Sequence, residues 1–328
     1  MRRRAFITGL SGAAAWPMAV RAQKAERVRR IGILMPFPSS DTAFQARIQI
    51  LRQELARLGW VEGRNIQFDE RWSTDDIDKV KADAAALVSL NPDVLVITGD
   101  RVIPVVAKLT SSIPIVVAIT TDPMASGAVE SLARPGRNVT GFSNIEFSIF
   151  GKMLEMLKRI APGVTRVGMI HNPNNPVVAA FLRAFETTAG QLAVQPIDLP
   201  VHDVAGIERA VTSMAEQPNG GILIPPDVTT FLHRAQLIAL AALHRLPAIY
   251  SNAAYTAAGG LVSYGADSVI IFHQAASYVD RILRGEKAGE LPFQLPTAYR
   301  LVINLKTAKT LGIDVPPTLL ATADEVIE

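Results

Sequence analysis

Asn91-Pro92-Asp93-Val94-Leu95-Val96-Ile97-Thr98-Gly99-Asp100 is the stretch that decides the fold. Its Asn-Pro-Asp start predicts a turn, and the branched apolar residues at 94–97 predict a short strand. A strand without a polar face favours a parallel sheet that is covered by helices on both sides. Polar residues follow at the carboxyl end of this strand, where the chain is expected to turn towards a helix.

The same unit of strand and helix recurs on both sides of this stretch. Phe44, Ile48, Leu51 and Leu55 are spaced by three or four residues and predict a helix with one apolar face, which Asp41 is placed to cap. Further short apolar strands are predicted at 31–35, 65–68, 115–119, 166–170, 192–197, 221–224, 248–250 and 261–264. This alternation predicts an α/β fold of two doubly wound, Rossmann-like lobes.

The alternation pauses at 133–138, a segment with proline and glycine and no apolar period. We therefore predict two lobes with interleaved chain segments. Lobe one holds about 24–141 and part of 272–328, and lobe two holds 142–268. The sequence does not assign the final strand and helix, within 299–328, to either lobe.

A leader for export is predicted at residues 1–22. Three arginines at 2–4 precede a mostly apolar or small stretch, and Val20-Arg21-Ala22 fits a cleavage site before Gln23. The start Arg-Arg-Arg-Ala-Phe-Ile resembles the twin-arginine motif, although a polybasic start also suits the general export route. We therefore expect the mature chain in the periplasm.

Composition excludes several classes of protein and site. The chain contains no cysteine, which excludes disulfides, thiolate metal ligands and a lipid-modified cysteine after the leader. Removing 1–22 removes four arginines and changes the formal net charge from +3 to −1. The mature chain thus has no net charge that favours nucleic acid or anionic lipid. No run of about 18 apolar residues follows the leader, so we expect a soluble monomer without a membrane span or lipid anchor.

Motifs of the common enzyme classes are missing from the sequence. It contains no G-x-G-x-x-G loop, no Walker loop and no G-x-S-x-G nucleophile elbow. Its five histidines do not pair at metal-ligand spacing beside an acid. We expect no catalytic residues, no cofactor and no metal, and an enzyme on this scaffold stays the less favoured alternative.

Ligands of doubly wound sheets bind beyond the carboxyl ends of the strands. The residues expected there are mostly small and polar, with two aromatic rings. The predicted ligand-binding residues are Phe37, Thr98, Gly99, Thr120, Asp122, Asn172, Asp227, Asn252 and Tyr264. Two lobes that close on each other would bury a small polar solute, such as an amino acid. Hydroxyl groups and helix N-termini would bind its carboxylate, and an acid would bind its amine.

Each of these residues also has a simpler interpretation. Thr, Asn and Asp at strand-to-helix junctions are ordinary helix caps. Asp122-Pro123 and Asn172-Pro173 are typical of turns, and Phe37 or Tyr264 could pack in the core. The prediction of a binding site therefore depends on the number of polar residues at the ends of strands that share one edge of a sheet, and not on any single residue.

Several stretches resemble one family of proteins, and together they cover nearly the whole mature chain. They are Leu58-Gly59-Trp60-Val61-Glu62-Gly63-Arg64-Asn65, Ser131-Leu132-Ala133-Arg134-Pro135-Gly136, Asn138-Val139-Thr140-Gly141-Phe142, Val302-Ile303-Asn304-Leu305-Lys306-Thr307-Ala308-Lys309-Thr310-Leu311-Gly312 and Ala323-Asp324-Glu325-Val326-Ile327-Glu328. They resemble the ABC-transporter substrate-binding family that is related to tryptophan- and tyrosine-binding proteins. One departure is Gly136-Arg137, where the family often has Gly-Gly, in a loop expected to lie away from the cleft.

The resemblance implies the type I periplasmic binding protein fold, a clamshell whose lobes are joined by three hinge crossings. It also implies a receptor that delivers a small-molecule solute to an ABC permease and its ATPase. A sensor domain of the same fold that feeds a signalling partner is the alternative, since both functions need only binding and closure. A DNA-binding repressor of this architecture is excluded, because the leader occupies the place of its N-terminal DNA-binding domain.

Overall fold

The computed structural model describes residues 27–328, and the predicted leader and its cleavage site lie outside the described residues. Within 27–328 the long strands form two separate sheets. The predicted α/β fold with two doubly wound lobes is thereby confirmed, and the bounds of its elements follow.

The first sheet has five parallel strands in the order β2-β1-β3-β4-β5. These strands are β1 (Arg29–Met35), β2 (Ile66–Trp72), β3 (Val94–Thr98), β4 (Ile115–Thr120) and β5 (Val139–Ser143). They are connected by α1 (Thr42–Arg57), α2 (Ile77–Ser89), α3 (Ile103–Leu109) and a 3₁₀ helix (Met124–Ser126). The connections reverse direction between β1 and β3, which is the position where doubly wound sheets bind ligands.

The second sheet has seven strands in the order β12-β11-β10-β9-β8-β6-β7. Its strands β6 to β10 repeat the order of the first sheet, since β7-β6-β8-β9-β10 corresponds to β2-β1-β3-β4-β5. The strands are β6 (Arg166–His171), β7 (Gln195–Pro200), β8 (Gly220–Ile224), β9 (Ala248–Tyr250), β10 (Val262–Ala266), β11 (Tyr299–Asn304) and β12 (Glu325–Ile327). The helices around it are α4 (Ile149–Ile160), α5 (Val178–Gln191), α6 (Val204–Ala215), α7 (Val228–Leu232), α8 (Arg234–Leu243), α9 (Ala253–Ala257), α11 (Leu305–Leu311) and α12 (Pro317–Leu320). Strand β11 is antiparallel to its neighbour β10 and parallel to β12, and the other neighbouring strands described in this sheet are parallel.

One long helix belongs to the first sheet although it follows β10 in the chain. Helix α10 (Ser268–Leu283) packs against α1 and β4, and a second 3₁₀ helix (Ala288–Glu290) lies beside β5. The chain then returns to the second sheet as β11. It crosses between the sheets three times, at 144–148, 267 and 295–298. We call the first sheet with α1, α2, α3 and α10 lobe one, and the second sheet with its own helices lobe two.

Strand β1 explains why its sheet is covered on both faces. Ile31, Ile33 and Met35 are buried on the side of α1 and α10, whereas Leu34 is buried with apolar residues of α2 and α3. Side chains alternate between the two faces of a strand, so an uninterrupted apolar run needs helices on both. Asp41 caps α1 as predicted, because its Oδ1 accepts a hydrogen bond from the Phe44 amide at 3.0 Å.

Two elements differ from the sequence-based predictions. Strand β5 was not predicted because Thr140 and Gly141 interrupt its apolar pattern. It forms as an edge strand of the sheet, where the Thr140 hydroxyl donates to the Leu291 carbonyl oxygen at 2.7 Å. The second difference lies at 229–243, where the sequence predicts one continuous helix. His233, whose ψ of 22° is not helical, divides it into α7 and α8.

Candidate functional site

A cavity lies between the carboxyl edges of the two sheets, and the cavity and its mouth together contain about 750 Å³ of empty space, part of which is open solvent. Both lobes line it, with residues at or shortly beyond the ends of strands and with residues of the helices that follow. Those from lobe one are Phe37, Phe44, Arg47, Asp75, Thr98, Gly99, Asp100, Arg101, Ile119, Thr120, Thr121 and Asn144, the last at its border. Those from lobe two are Asn172, Asn175, Pro226, Asp227, Val228, Thr229, Phe231, Ser251, Asn252 and Tyr255.

The cavity brings together most of the predicted ligand-binding residues. Seven of them line it: Phe37, Thr98, Gly99, Thr120, Asn172, Asp227 and Asn252. Asp122 and Tyr264 are not among its lining residues. Asp122 accepts a hydrogen bond from the Met124 amide at 2.9 Å and so forms a turn, and Tyr264 stacks on Tyr299 with ring centroids 5.7 Å apart. For these two residues the simpler interpretation, turn formation and packing, describes their contacts.

Aromatic rings from both lobes meet at one side of the cavity. Phe37 and Phe44 of lobe one stack with centroids 3.6 Å apart. The ring of Phe231, from lobe two, meets them edge-on at 5.7 and 5.6 Å, and Tyr255 lies edge-on to Phe231 at 5.5 Å. These rings give the cavity an apolar wall that suits an apolar or aromatic group.

Asp100 supplies a carboxylate at the switch point of lobe one. Its Oδ1 accepts hydrogen bonds from the Thr120 hydroxyl at 2.6 Å and from the amides of Thr121 and Asp122 at 2.8 and 3.2 Å. No described residue donates to its Oδ2. Burial raises the pKa of Asp100, and the hydrogen bonds to its carboxylate oppose that rise.

Asp227 occupies the equivalent place in lobe two, but its oxygens are already engaged. Its Oδ1 accepts from the Thr230 amide at 3.0 Å and caps α7, while its Oδ2 accepts from Asn175 Nδ2 at 3.2 Å. Burial raises the pKa of Asp227 as well, and the nearby Asp75 carboxylate adds to the rise. Asn252 similarly caps α9 through the Ala254 amide at 2.9 Å.

Polar contacts join the two lobes around the cavity. The Thr229 hydroxyl of lobe two donates to Asp75 Oδ2 of lobe one, and Asp75 also pairs with Arg101 at 2.7 Å. An ion pair of 2.8 Å links Asp41 of lobe one to Arg234 of lobe two. These contacts hold the lobes together in the arrangement described.

Gly99 is required by the backbone at the switch point. Its φ of +94° lies in the left-handed region, which residues with a side chain rarely adopt. A Cβ atom at this position would meet Val228 Cγ2 of the other lobe only at an ordinary van der Waals distance of 3.7 Å. Glycine is thus required by the sharp exit from β3 and not by the approach of the lobes.

Sequence reasoning missed several lining residues, and Arg47 left a visible signal. Arg47 lies on the same stripe of α1 as Phe44, Ile48 and Leu51, and all four are buried. A charged residue on an apolar helix face is unusual unless it has a partner. Phe231 left no such signal, because it lies inside a short helix rather than directly after a strand.

Among residues 27–328, no group of three or more His, Asp or Glu side chains could hold a metal ion. Over the same range, no helix is both long and apolar enough to cross a membrane.

The two doubly wound sheets and the cavity between their carboxyl edges define a two-lobed binding protein of the type I periplasmic binding fold. Residues 31–327 match the family described as ABC transporter substrate binding protein, and the chain belongs to that family. The family resemblance seen in the sequence is therefore confirmed. The family consists of solute-binding proteins rather than enzymes, and it implies a small-molecule ligand with a permease and an ATPase as partners.

Three relatives illustrate the similarity. A "Tyrosine-binding protein" of Clostridioides difficile is 24% identical over 290 residues, which cover 88% of this chain and 82% of the relative. The crystal structure of a "conserved domain protein" from Vibrio cholerae has a TM-score of 0.86 and 28% identity, and covers 92% of this chain and 100% of that one. An "ABC domain in complex with L-Trp" from Streptococcus pneumoniae has a TM-score of 0.85 and 24% identity, with the same coverage.

Proposed function

We propose that this chain is the periplasmic receptor of an ABC importer and that it binds one amino acid, with an aromatic or large apolar side chain, between its lobes. The observation that carries this proposal is the composition of the cavity, in which rings and polar groups from both lobes face one enclosed space. The names of the relatives from C. difficile and S. pneumoniae, which mention tyrosine and L-Trp, support the choice of amino acid.

The groups around the cavity match the parts of such a ligand. The rings of Phe37, Phe44 and Phe231 suit the side chain of the ligand, because aromatic surfaces bury apolar area and favour edge-on neighbours. Two acceptors suit its ammonium group. Asp100 Oδ2 has no donor among the described residues, and Asn144 Oδ1 is buried without a hydrogen bond.

Closure of the lobes is part of the proposal. The three crossings at 144–148, 267 and 295–298 serve as hinges, since a few residues between rigid units can absorb a rotation. The contacts between Asp75 and Thr229 and between Asp41 and Arg234 break when the lobes separate. A ligand that touches both lobes favours the closed state by its contacts with the second lobe.

The extent of the lobes and the route to the periplasm also belong to this proposal. We propose that lobe one consists of residues 27–143 together with 268–294, and that lobe two consists of 149–266 with 299–328. The remaining residues form the hinges. The leader at 1–22 directs export, and the receptor acts as a soluble monomer.

The direct experiment measures binding and closure together. The mature protein is titrated by calorimetry with L-tyrosine, L-tryptophan and L-leucine, with L-glutamate as the matched control that lacks an apolar side chain. We expect saturable binding of at least one apolar amino acid, none of L-glutamate, and a smaller radius of gyration in small-angle scattering when the ligand is present. If the three apolar amino acids do not bind, or bind without compaction, the proposed ligand class or the closure is wrong.

A transport measurement tests the importer role separately. Cells that lack the gene should take up the amino acid identified by calorimetry more slowly than the parent strain, and a plasmid copy should restore uptake. Unchanged uptake combined with tight binding would favour the signalling receptor.

A further inference from the structure

We propose that Arg47 binds the carboxylate of the ligand and couples its recognition to closure. This inference depends on the proposed function only in the choice of the amino acid with which it is tested. Arg47 lies in α1, lines the cavity and is 5% exposed. A buried arginine of this kind is normally paired with an acid, because an unpaired charge in a protein interior is costly.

The described chain offers Arg47 no acid. Its Nε donates to the Ser268 hydroxyl at 3.1 Å and its Nη2 donates to Asn252 Oδ1 at 3.2 Å, and both acceptors are neutral. Among residues 27–328 no carboxylate lies within ion-pair distance of its guanidinium, and Nη1 makes no hydrogen bond.

The charge of Asp41 acts on Arg47 from beyond ion-pair distance, but both oxygens of Asp41 are already engaged. Its Oδ1 caps α1 through the Phe44 amide, and its Oδ2 pairs with Arg234 at 2.8 Å. Two buried or half-buried arginines therefore share one carboxylate, which leaves one positive charge uncompensated beside the cavity. Burial lowers the pKa of Arg47 to about 10, so its guanidinium is still protonated at neutral pH.

The guanidinium is held in a fixed orientation. It lies over the ring of Phe44, 4.3 Å from the centroid, and this stacking fixes the plane of its donors. A planar fork with a free Nη1 matches a carboxylate, which accepts hydrogen bonds along the same plane. The uncompensated charge, the free donor and the position in the cavity all point to an anionic group on the ligand.

The contacts of Arg47 also explain the link to closure. Asn252 belongs to lobe two, whereas Arg47 belongs to lobe one, so the bond between them exists only when the lobes meet. A carboxylate bound to Arg47 neutralises the charge at that junction. It therefore lowers the cost of burying the guanidinium in the closed state.

The test compares ligands that differ in the carboxylate alone. The affinities of L-tyrosine and L-tyrosinamide are measured by calorimetry for the parent and for Arg47→Met. We expect the parent to prefer the acid over the amide by at least about 30-fold, the factor typical of a lost buried charge contact. Arg47→Met should lose this preference, and Arg47→Lys should retain part of it because the charge remains without the fork.

The matched control is Arg52→Met. Arg52 lies on the same helix and stacks on Phe68 at 4.4 Å, but it pairs with Glu62 and Glu70 and does not line the cavity. This control should keep the parent's preference for the acid. Circular dichroism and thermal unfolding show whether each variant folds, and Arg47→Met should unfold no earlier than the parent because it loses an unpaired buried charge.

Two results would overturn the inference. One is a preference for the acid that persists in Arg47→Met, and the other is a parent protein that binds the amide as tightly as the acid. If the parent binds no amino acid, the proposed function is wrong. The role of Arg47 is then tested by the binding of 3-phenylpropanoate, which carries a ring and a carboxylate but no ammonium group. Binding by the parent that Arg47→Met loses supports the inference, and no binding of this probe by the parent overturns it.

Discussion

The ring of Phe231 should hold the closed state together, and its removal provides a quantitative test of closure. In Phe231→Ala the ring of lobe two that meets Phe37 and Phe44 of lobe one is lost. Each edge-on aromatic pair contributes about 0.5–1.5 kcal/mol, so two pairs contribute about 1–3 kcal/mol. Both pairs exist only when the lobes are together, and the closed state should lose that amount relative to the open state.

A weaker closed state lowers the apparent affinity for the ligand. A loss of about 1–3 kcal/mol corresponds to roughly 5- to 150-fold weaker binding through the smaller closed population alone, and the lost contact of the ring with the proposed ligand adds to that factor. Calorimetry with L-tyrosine or L-tryptophan measures this factor. Small-angle scattering of the ligand-free variant should give a radius of gyration equal to or above that of the parent.

The control must separate closure from the stability of lobe two. Phe181 is a fully buried ring in lobe two that contacts Phe150, with centroids 5.3 Å apart, and it belongs to a different apolar cluster from Phe37, Phe44 and Phe231. Phe181→Ala should cost about 3–5 kcal/mol of unfolding free energy, as core deletions of phenylalanine do, with the affinity unchanged as long as the protein is folded. If Phe231→Ala binds as tightly as the parent, or if Phe181→Ala loses as much affinity, the reasoning about closed-state contacts is wrong.

Three further predictions concern single groups. Burial raises the pKa of Asp100, so the folded chain holds that proton more tightly than the unfolded chain and the free energy of unfolding falls as pH rises from about 4 through the raised pKa. Asp100→Asn keeps an acceptor for the same donors but cannot titrate. Its free energy of unfolding relative to the parent should therefore increase between about pH 4 and the raised pKa, which urea unfolding at several pH values measures. A difference that stays constant with pH would contradict the raised pKa of Asp100. Asp227→Ala should cost about 1–2 kcal/mol of unfolding free energy because it removes the cap of α7. Asp227→Asn should cost less, since asparagine also caps helices. Equal losses in the two variants would argue against the capping role of Asp227. Mass analysis of the periplasmic protein should find Gln23 or a neighbour as the first residue, and a functional protein that retains Met1 would refute the leader.

The positions of the strand ends could be predicted from the sequence, and so could part of the cavity. Thr98 ends β3, Gly99 and Asn172 directly follow β3 and β6, and Asp227 lies three residues beyond β8. Parallel strands place their carboxyl ends on one edge of a sheet. The same argument includes Asp122, two residues beyond the end of β4, but its side chain turns back on its own loop. The rule predicts the edge of a sheet and not the direction of each side chain.

The missing residues depend on contacts between the lobes, which a sequence pattern does not contain. Phe231 acquires its role only when Phe37 and Phe44 of the other lobe pack against it. The allocation of the last strand could not be predicted either, because β11 is antiparallel and joins the sheet beside β10 instead of following the parallel alternation. Its apolar residues would suit either lobe.

The interleaving of the lobes has a consequence for how the chain folds during synthesis. Domains usually fold as units, in the order in which they leave the ribosome. Here the core of lobe one needs α10, and the sheet of lobe two needs β11 and β12, the last of which ends at Ile327. The core of lobe one is therefore incomplete until α10 has been made, and the sheet of lobe two is incomplete until β12 has been made, so both lobes assemble late. Chains that stop early, at any point before α10, should be substrates for chaperones and proteases rather than half-working receptors.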